Sequence, residues 1–162
     1  MRNAIFAKCF LAMRKREEDK EKSLAQPSPL LAELASIDVD TVIAAILLHD
    51  VLEDTPVTYD MLVHFVGQEV ASIVKEVTDD TTLSSEQRKI HQLEKAEHLS
   101  IEAKLVKLAD RVDNCSELEL APPLNWDAEK VTAYFKHTAL LLPKLRYSGL
   151  FAGLLVFCDR GL

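Results

Sequence analysis

The sequence predicts an all-α fold, built as a single-domain helical bundle. The 162 residues include only four glycines and six prolines, which leaves few turns and favours long helices. Apolar residues recur at spacings of three and four along most of the chain, and no segment of useful length alternates apolar and polar residues as a strand would. We therefore expect roughly seven to nine helices in one layered bundle, with no internal repeat.

The composition indicates a globular, water-soluble protein large enough for one real core, with 48% hydrophobic and 28% charged residues. The net charge of −7 argues against binding to nucleic acid or to an anionic membrane, although a metal ion and a few local cations can still hold a phosphorylated substrate. The three separated cysteines predict reduced thiols. Because no secretory signal is evident and no apolar run reaches the roughly 18 residues of a membrane span, we expect a cytoplasmic protein.

The first part of the chain contains two predicted helical segments. Residues from Met1 to about Ser23 are predicted to form a helix with an apolar half and then a mixed charged run. Pro27 and Pro29 end that helix, because proline cannot continue the backbone hydrogen bonding. The segment from Leu30 to Ala35 is short and apolar, and we expect one or two helical turns there.

Capping residues and apolar spacing divide the rest of the chain into further helices. A Ser, Thr or Asp at the start of a helix accepts hydrogen bonds from the unpaired backbone N–H groups of the first turn. In order, we predict helices over about 39–52 (capped by Asp38 or Asp40), 59–65 (capped by Thr58), 68–78 (after a break at Gly67), 84–97 (begun by Ser84 or Ser85), from 101 onward (capped by Ser100) and about 126–145 (after a linker over 121–125).

The helix predicted over 39–52 ends in a cluster of ionisable residues. An apolar run leads directly into His49, Asp50, Glu53 and Asp54. On a continuous helix, His49 and Glu53 would lie four apart on one face, and Asp50 and Asp54 would form a second such pair. An imidazole beside carboxylates suits a divalent metal ion that activates water. A helix that ends in a solvated acidic turn is the more common explanation of a His-Asp pair taken alone.

Asp110 is the second candidate, because it is a carboxylate on a helix that is otherwise apolar nearly all round and is therefore expected at the centre of the bundle. A buried aspartate is unfavourable unless it is paired or bound to a metal ion. Lys107 lies three residues before it and Asn114 four residues after it, so all three share a face. The residues alone leave open an ion pair with Lys107 and a metal-ligand role.

Three segments in this order, LLHDVLEDT, EVTDDTTL and AKLVKLADRVDNCSEL, resemble the hydrolase domain of the RelA/SpoT enzymes. That domain belongs to the HD superfamily of metal-dependent phosphohydrolases, and this sequence is most similar to the small stand-alone form, the metazoan SpoT homologue and its bacterial counterparts. The resemblance runs from about residue 37 to 114 and continues more weakly to 160–162. It implies an all-helical HD-type domain over 1–162, with residues 1–36 divergent or shortened.

The resemblance implies an activity and a set of ligands. The activity is removal of the 3′-diphosphate from guanosine tetra- or pentaphosphate, with Mn²⁺ or another divalent ion as cofactor, and activity on NADPH is a further expectation. His49, Asp50 and Asp110 match the family's metal ligands. Glu53 and Asp54 match the pair that orients the attacking water and transfers protons.

The implied partner is a small phosphorylated nucleotide, and a homo-oligomer is compatible with the resemblance. Asn114 matches a substrate-contacting asparagine. Lys107, Arg88, Lys89 and the basic cluster 14–16 could neutralise phosphate charge, although such residues are more often plain surface charge.

The sequence departs from the family pattern at one metal ligand, a histidine usually followed by proline that precedes the His-Asp pair. No histidine precedes His49 here, and Gln26-Pro27 lies near the expected place. Glutamine offers a neutral carbonyl oxygen and is a poor substitute for imidazole. The alternative function is therefore a degenerate, non-catalytic member that acts as a nucleotide-binding or interaction module. The other histidines are expected to be structural or exposed: His64, His91, His98 and His137.

Overall fold

The computed structural model describes residues 36–145. The predictions for the N-terminal helix, for its end at Pro27 and Pro29, and for the short segment 30–35 lie outside the described residues. So do Gln26, the basic cluster 14–16, the apolar segment 150–157 and the terminal residues 160–162.

All regular secondary structure in the described part of the chain is helical, which confirms the all-α prediction. Residues 36–145 form seven α-helices and one 3₁₀-helix, with no strand. These are α1 (Val39–Leu48), α2 (Val51–Asp54), α3 (Tyr59–Val66), α4 (Gln68–Val77), α5 (Ser85–Lys95), the 3₁₀-helix (Ala96–His98), α6 (Ile101–Leu120) and α7 (Ala128–Leu141). None of the helices in this range is both long and apolar enough to cross a membrane.

The predicted capping residues start the helices as expected. These caps, with the backbone N–H that each side chain accepts, are Asp38 (Asp40, 3.1 Å), Thr58 (Met61, 3.3 Å), Ser84 (Gln87, 3.3 Å) and Ser100 (Ala103, 3.1 Å). Asp127, which was not predicted as a cap, accepts the N–H of Lys130 at 2.7 Å. Asp38 rather than Asp40 therefore caps α1, and Ser84 rather than Ser85 caps α5. Gly67 separates α3 from α4 with a φ of +85°, a backbone conformation that favours glycine.

The prediction of one continuous helix over 39–52 is wrong. Helix α1 ends at Leu48, and the four-residue α2 begins only at Val51. The His49 ring explains the break, because its Nδ1 lies 2.9 Å from the carbonyl oxygen of Ile46, which in a continuous helix would accept the N–H of Asp50. His49 and Glu53 consequently do not share the face of one helix. Helix α7 is also shorter than predicted, since it ends at Leu141 shortly before Pro143.

The core forms where α1, α4 and α6 pack against one another. Its most buried side chains include Ala45, Val74, Leu105, Val106 and Leu108, each at most 2% exposed. The N-terminal half of α6 is buried nearly all round, which confirms the prediction that this helix is central. Because α1 and α6 are in contact, the end of α1 lies beside the middle of α6, where Asp110 projects.

Candidate functional site

Three side chains from two distant parts of the chain meet where α1 ends. The Nε2 atom of His49 lies 2.9 Å from Oδ2 of Asp50 and 3.5 Å from Oδ1 of Asp110. The other ring nitrogen, Nδ1, donates to the carbonyl of Ile46, so Nε2 is the nitrogen that faces the carboxylates. The three residues predicted as metal ligands are therefore neighbours in the folded protein.

This cluster has unusual electrostatics. Hydrogen bonds to Asp110 and then to Asp50 raise the pKa of His49 to about 10. Burial alone would raise the pKa of Asp110, but the hydrogen bond to His49 and the charges of Arg111, His49 and Lys107 hold that pKa below its usual value. Asp110, whose side chain is only 16% exposed, is thus an ionised carboxylate in a largely buried position.

The donor chemistry of the cluster fits a divalent cation. One imidazole nitrogen with two carboxylates is a set that ions such as Mn²⁺ or Zn²⁺ accept. The present distances are those of direct ion-pair contacts, and within residues 36–145 no group of three or more His, Cys, Asp or Glu side chains has the geometry to hold an ion. A bound cation would replace the Nε2 proton of His49 and separate the three groups slightly. The exposed side chain of Asp50 leaves room for this adjustment.

Asp110 has two further partners on its own helix. Asn114, one turn later, donates from Nδ2 to Oδ1 of Asp110 at 2.5 Å. Arg111 places Nε 3.6 Å from Oδ2. Lys107 instead pairs with Asp79, with 3.6 Å between Nζ and Oδ1. The alternative in which Lys107 forms the ion pair of Asp110 is therefore wrong, since Arg111 takes that place.

Glu53 occupies the other side of the site, on α2. Its Oε1 accepts the backbone N–H of Asp79 at 2.6 Å, which ties α2 to the loop after α4. Burial raises the pKa of the Glu53 carboxyl, and the charge of Asp79 adds to that rise, whereas the N–H of Asp79 opposes it. A carboxyl group with a raised pKa is suited to proton transfer near neutral pH. Asp54, the next residue, is exposed at the end of the same helix.

A polar network centred on Gln92 of α5 connects the Asp79 loop, which contacts Glu53, with Arg111 beside Asp110. Gln92 donates from Nε2 to Oδ2 of Asp79. Its Oε1 lies 3.3 Å from Nη2 of Arg111 and 2.8 Å from Nε2 of His137. The guanidinium of Arg111 lies over the ring of Tyr134, 5.1 Å from its centroid. Burial raises the pKa of Tyr134 to about 12, so its hydroxyl stays neutral.

Comparison with known proteins places this helical chain in a family. The model of the HD domain matches residues 4–137. The guanosine-3′,5′-bis(diphosphate) 3′-pyrophosphohydrolase MESH1 of Xenopus tropicalis is 38% identical over 155 residues, which cover 91% of this chain and 87% of that protein. The chain belongs to the HD-domain family.

Other members of the family agree with this HD domain over much of its length. MESH1 of Drosophila melanogaster is 34% identical over 154 residues, covering 89% of this chain and 86% of the relative. The solved structure of a metazoan ortholog of SpoT, which hydrolyzes ppGpp and plays a role in starvation responses, superposes with a TM-score of 0.69 at 32% identity, covering 94% of this chain and 96% of that chain.

The remaining predicted residues take different positions in the HD domain. Arg88 is half-buried on α5, and its Nε is buried without a hydrogen-bond partner among the described residues. Lys89 is exposed, and its charge helps to lower the pKa of His137, so it lies on the His137 side of the network. The exposed histidines are His64, His91 and His98. His137 reaches the network through Gln92, without contact to the proposed ligands.

Sequence reasoning did not identify Arg111, Gln92 or His137 as parts of this HD-domain site. A signal for Arg111 was available, because it is a charged residue directly after Asp110 on the same largely apolar part of the helix. No comparable signal marked Gln92, which lies on a helix of charged and polar residues without a buried side chain.

Proposed function

We propose that this chain is a metal-dependent phosphohydrolase that removes the 3′-diphosphate from guanosine tetra- or pentaphosphate, producing GDP and pyrophosphate from the tetraphosphate. The convergence of His49, Asp50 and Asp110, with Glu53 near enough to Asp50 for their charges to interact, carries the proposal. The 38% identity to the frog pyrophosphohydrolase supports the choice of substrate.

The proposed metal ligands are His49, Asp50 and Asp110, with Mn²⁺ as the first candidate ion. When bound, a divalent ion supplies positive charge that lowers the pKa of a water molecule and offsets the charge that develops on the phosphoryl oxygens. Asp110 is prepared for this role because its neighbours keep it ionised. Asn114 restrains its carboxylate by donating to Oδ1.

Glu53 is the proposed general base. The N–H of Asp79 holds Oε1, so Oε2 would receive the proton of the attacking water. The water oxygen forms a bond to the 3′ phosphorus, and the bond between that phosphorus and the 3′ oxygen of the ribose breaks. The 3′ oxygen leaves with a proton, for which exposed Asp54 is the nearest proposed relay. The products are a 3′-hydroxyl and pyrophosphate.

The proposed contacts to the nucleotide come from α5 and α6. Arg88 and Lys89 are the better candidates for phosphate binding, because Lys107 is already paired with Asp79. Asn114 has two N–H donors on its amide, so one can bind Asp110 while the other reaches the substrate. The phosphate monoester of NADPH offers similar chemistry and is a second substrate to assay.

The deciding experiment measures pyrophosphate release from guanosine tetraphosphate with and without Mn²⁺. We expect manganese-dependent release that falls by at least about 100-fold in Asp54→Ala. The matched control is Asp60→Ala, which removes an exposed carboxylate from α3 and should retain full activity. Absence of release from the natural chain and from Gln26→His, each with saturating Mn²⁺, would refute the hydrolase.

A second candidate is a non-catalytic member that binds the nucleotide without cleaving it. It is favoured by one observation, that no histidine precedes His49 and Gln26 stands near the place of the family's remaining ligand. Calorimetric titration with guanosine tetraphosphate separates the two functions. Binding without pyrophosphate release, in both the natural chain and Gln26→His, supports this second candidate.

A further inference from the structure

We propose that Gln92 is a positioning residue that couples the two halves of the proposed active site, an inference that rests on the proposed function. One half holds Asp110, with Arg111 beside it. The other half holds Glu53, with Asp79 beside it. The side-chain amide of Gln92 touches a member of each half, Arg111 and Asp79.

The partners of Gln92 allow its amide only one orientation. The carboxylate of Asp79 only accepts hydrogen bonds, so the NH₂ group must face it. The guanidinium of Arg111 only donates, so the carbonyl oxygen must face Arg111. His137 shares that oxygen at 2.8 Å and must therefore donate from Nε2. A planar group held on both edges transmits a displacement of either partner to the other.

Each edge of the amide leads directly to a proposed functional carboxylate. On one edge, Asp79 accepts from Gln92 with its side chain and donates to Glu53 with its backbone N–H at 2.6 Å. On the other edge, Arg111 donates to Gln92 and lies 3.6 Å from the Asp110 carboxylate through Nε. Loss of the amide would remove the contacts that orient Asp79 beside Glu53 and Arg111 beside Asp110.

The helix that carries Gln92 packs against the core through the partly buried side chain of Leu93 and has no fully buried residue. None of the residues of α5 is buried, and Ile90 is 57% exposed. Apolar burial is non-directional, whereas hydrogen bonds fix an orientation, so the polar network sets how this helix sits against the site. Gln92 is half-buried and is the α5 residue at the centre of that network.

The test is Gln92→Glu, which keeps the shape of the side chain but turns the donor that faces Asp79 into an oxygen. Two carboxylates then oppose each other, and the new charge attracts Arg111 away from Asp110. The matched control is Gln87→Glu on the same exposed helix, because Gln87 uses its oxygen to accept the N–H of Ser84 at 3.0 Å and glutamate does the same.

We expect kcat to fall by about 100-fold in Gln92→Glu, with KM within about threefold, because displaced catalytic groups slow the chemical step more than binding. Gln87→Glu should match the natural chain. Adding Asp79→Asn to Gln92→Glu reverses the polarity of the pair, since an asparagine N–H then faces the new carboxylate. This double variant should recover part of the lost kcat.

A readout independent of turnover separates this inference from the proposed function. In NMR spectra, Gln92→Glu should move the backbone amide signal of Asp79 and the side-chain amide signals of Asn114, and Gln87→Glu should move neither. The double variant should return the Asp79 signal. If the natural chain lacks hydrolysis, the proposed function fails, and these signals still decide the coupling.

Two results would overturn the coupling. One is a Gln92→Glu variant whose kcat and amide signals match those of Gln87→Glu. The other is a double variant that recovers neither kcat nor the Asp79 signal. If Gln92→Glu does not fold, Gln92→Met removes both hydrogen-bonding edges without adding charge and should move the same signals; unchanged signals in that variant would equally refute the proposal.

Discussion

Replacement of Arg111 by glutamine is expected to destabilise the fold markedly. Arg111 is 7% exposed, lies 3.6 Å from the Asp110 carboxylate, donates to Gln92 at 3.3 Å and covers the ring of Tyr134 at 5.1 Å. Removing one partner of a buried ion pair costs about 3–5 kcal/mol, and a desolvated cation–π contact contributes about 1–2 kcal/mol. Two observations reduce these figures: the Nε atom is beyond hydrogen-bond reach of Asp110, and Asp110 retains its contact with His49. We therefore expect the free energy of unfolding to fall by about 2–4 kcal/mol.

Urea unfolding of the whole chain measures this loss. The control is Lys136→Gln, which removes one positive charge from an exposed position on α7. Arg111→Lys should be intermediate, because lysine keeps the charge but lacks the planar fork that serves Asp110 and Gln92 together. A free energy of unfolding for Arg111→Gln within about 0.5 kcal/mol of the control would refute the reasoning.

Three further predictions concern Glu76, His137 and the proposed metal ion. Glu76 accepts the backbone N–H of Ser100 and, at 2.8 Å, its hydroxyl at the start of α6. Glu76→Gln should therefore lower the free energy of unfolding in urea by about 1–2 kcal/mol. The control Glu69→Gln, at an exposed position, should leave it unchanged. Burial, and then nearby cations, lower the pKa of His137 from 6.5. The free energy of unfolding should therefore decrease as the pH falls below 6.5, until the pH passes the folded-state pKa. In urea unfolding at a series of pH values, His137→Gln should flatten this decrease, and an unchanged profile would contradict the prediction. Chelation should abolish pyrophosphate release and Mn²⁺ should restore it, while release insensitive to chelator would exclude the proposed metal role.

Helix boundaries were largely predictable because capping is local. Thr58 and Ser100 lie next to the N–H groups that they accept, so their effect depends on a few neighbouring residues. The break at His49 was not predictable in this way. It depends on the ring bonding back to Ile46 while Nε2 faces Asp110, a contact between distant parts of the chain.

The proposed metal ligands were predictable from the motifs and the resemblance, but their surroundings were not. Lys107 and Arg111 lie on the same helix within one turn of Asp110, and sequence spacing favoured Lys107. In the folded protein the pairing is different, because Asp79 pairs with Lys107 and Arg111 lies beside Asp110. Local spacing cannot decide between two neighbouring cations when the competing carboxylate comes from another element.

The sequence by itself determined the all-α class, the capping residues, the family and the identity of the candidate ligands, because these depend on periodicity, on local backbone chemistry and on short motifs. Only the tertiary structure decided which cation pairs with which carboxylate, and that Gln92 bridges Asp79 and Arg111. Those pairings depend on how α5 and α6 pack and on where the loop after α4 lies. Such arrangements are set by contacts between distant residues, which no single stretch of sequence encodes.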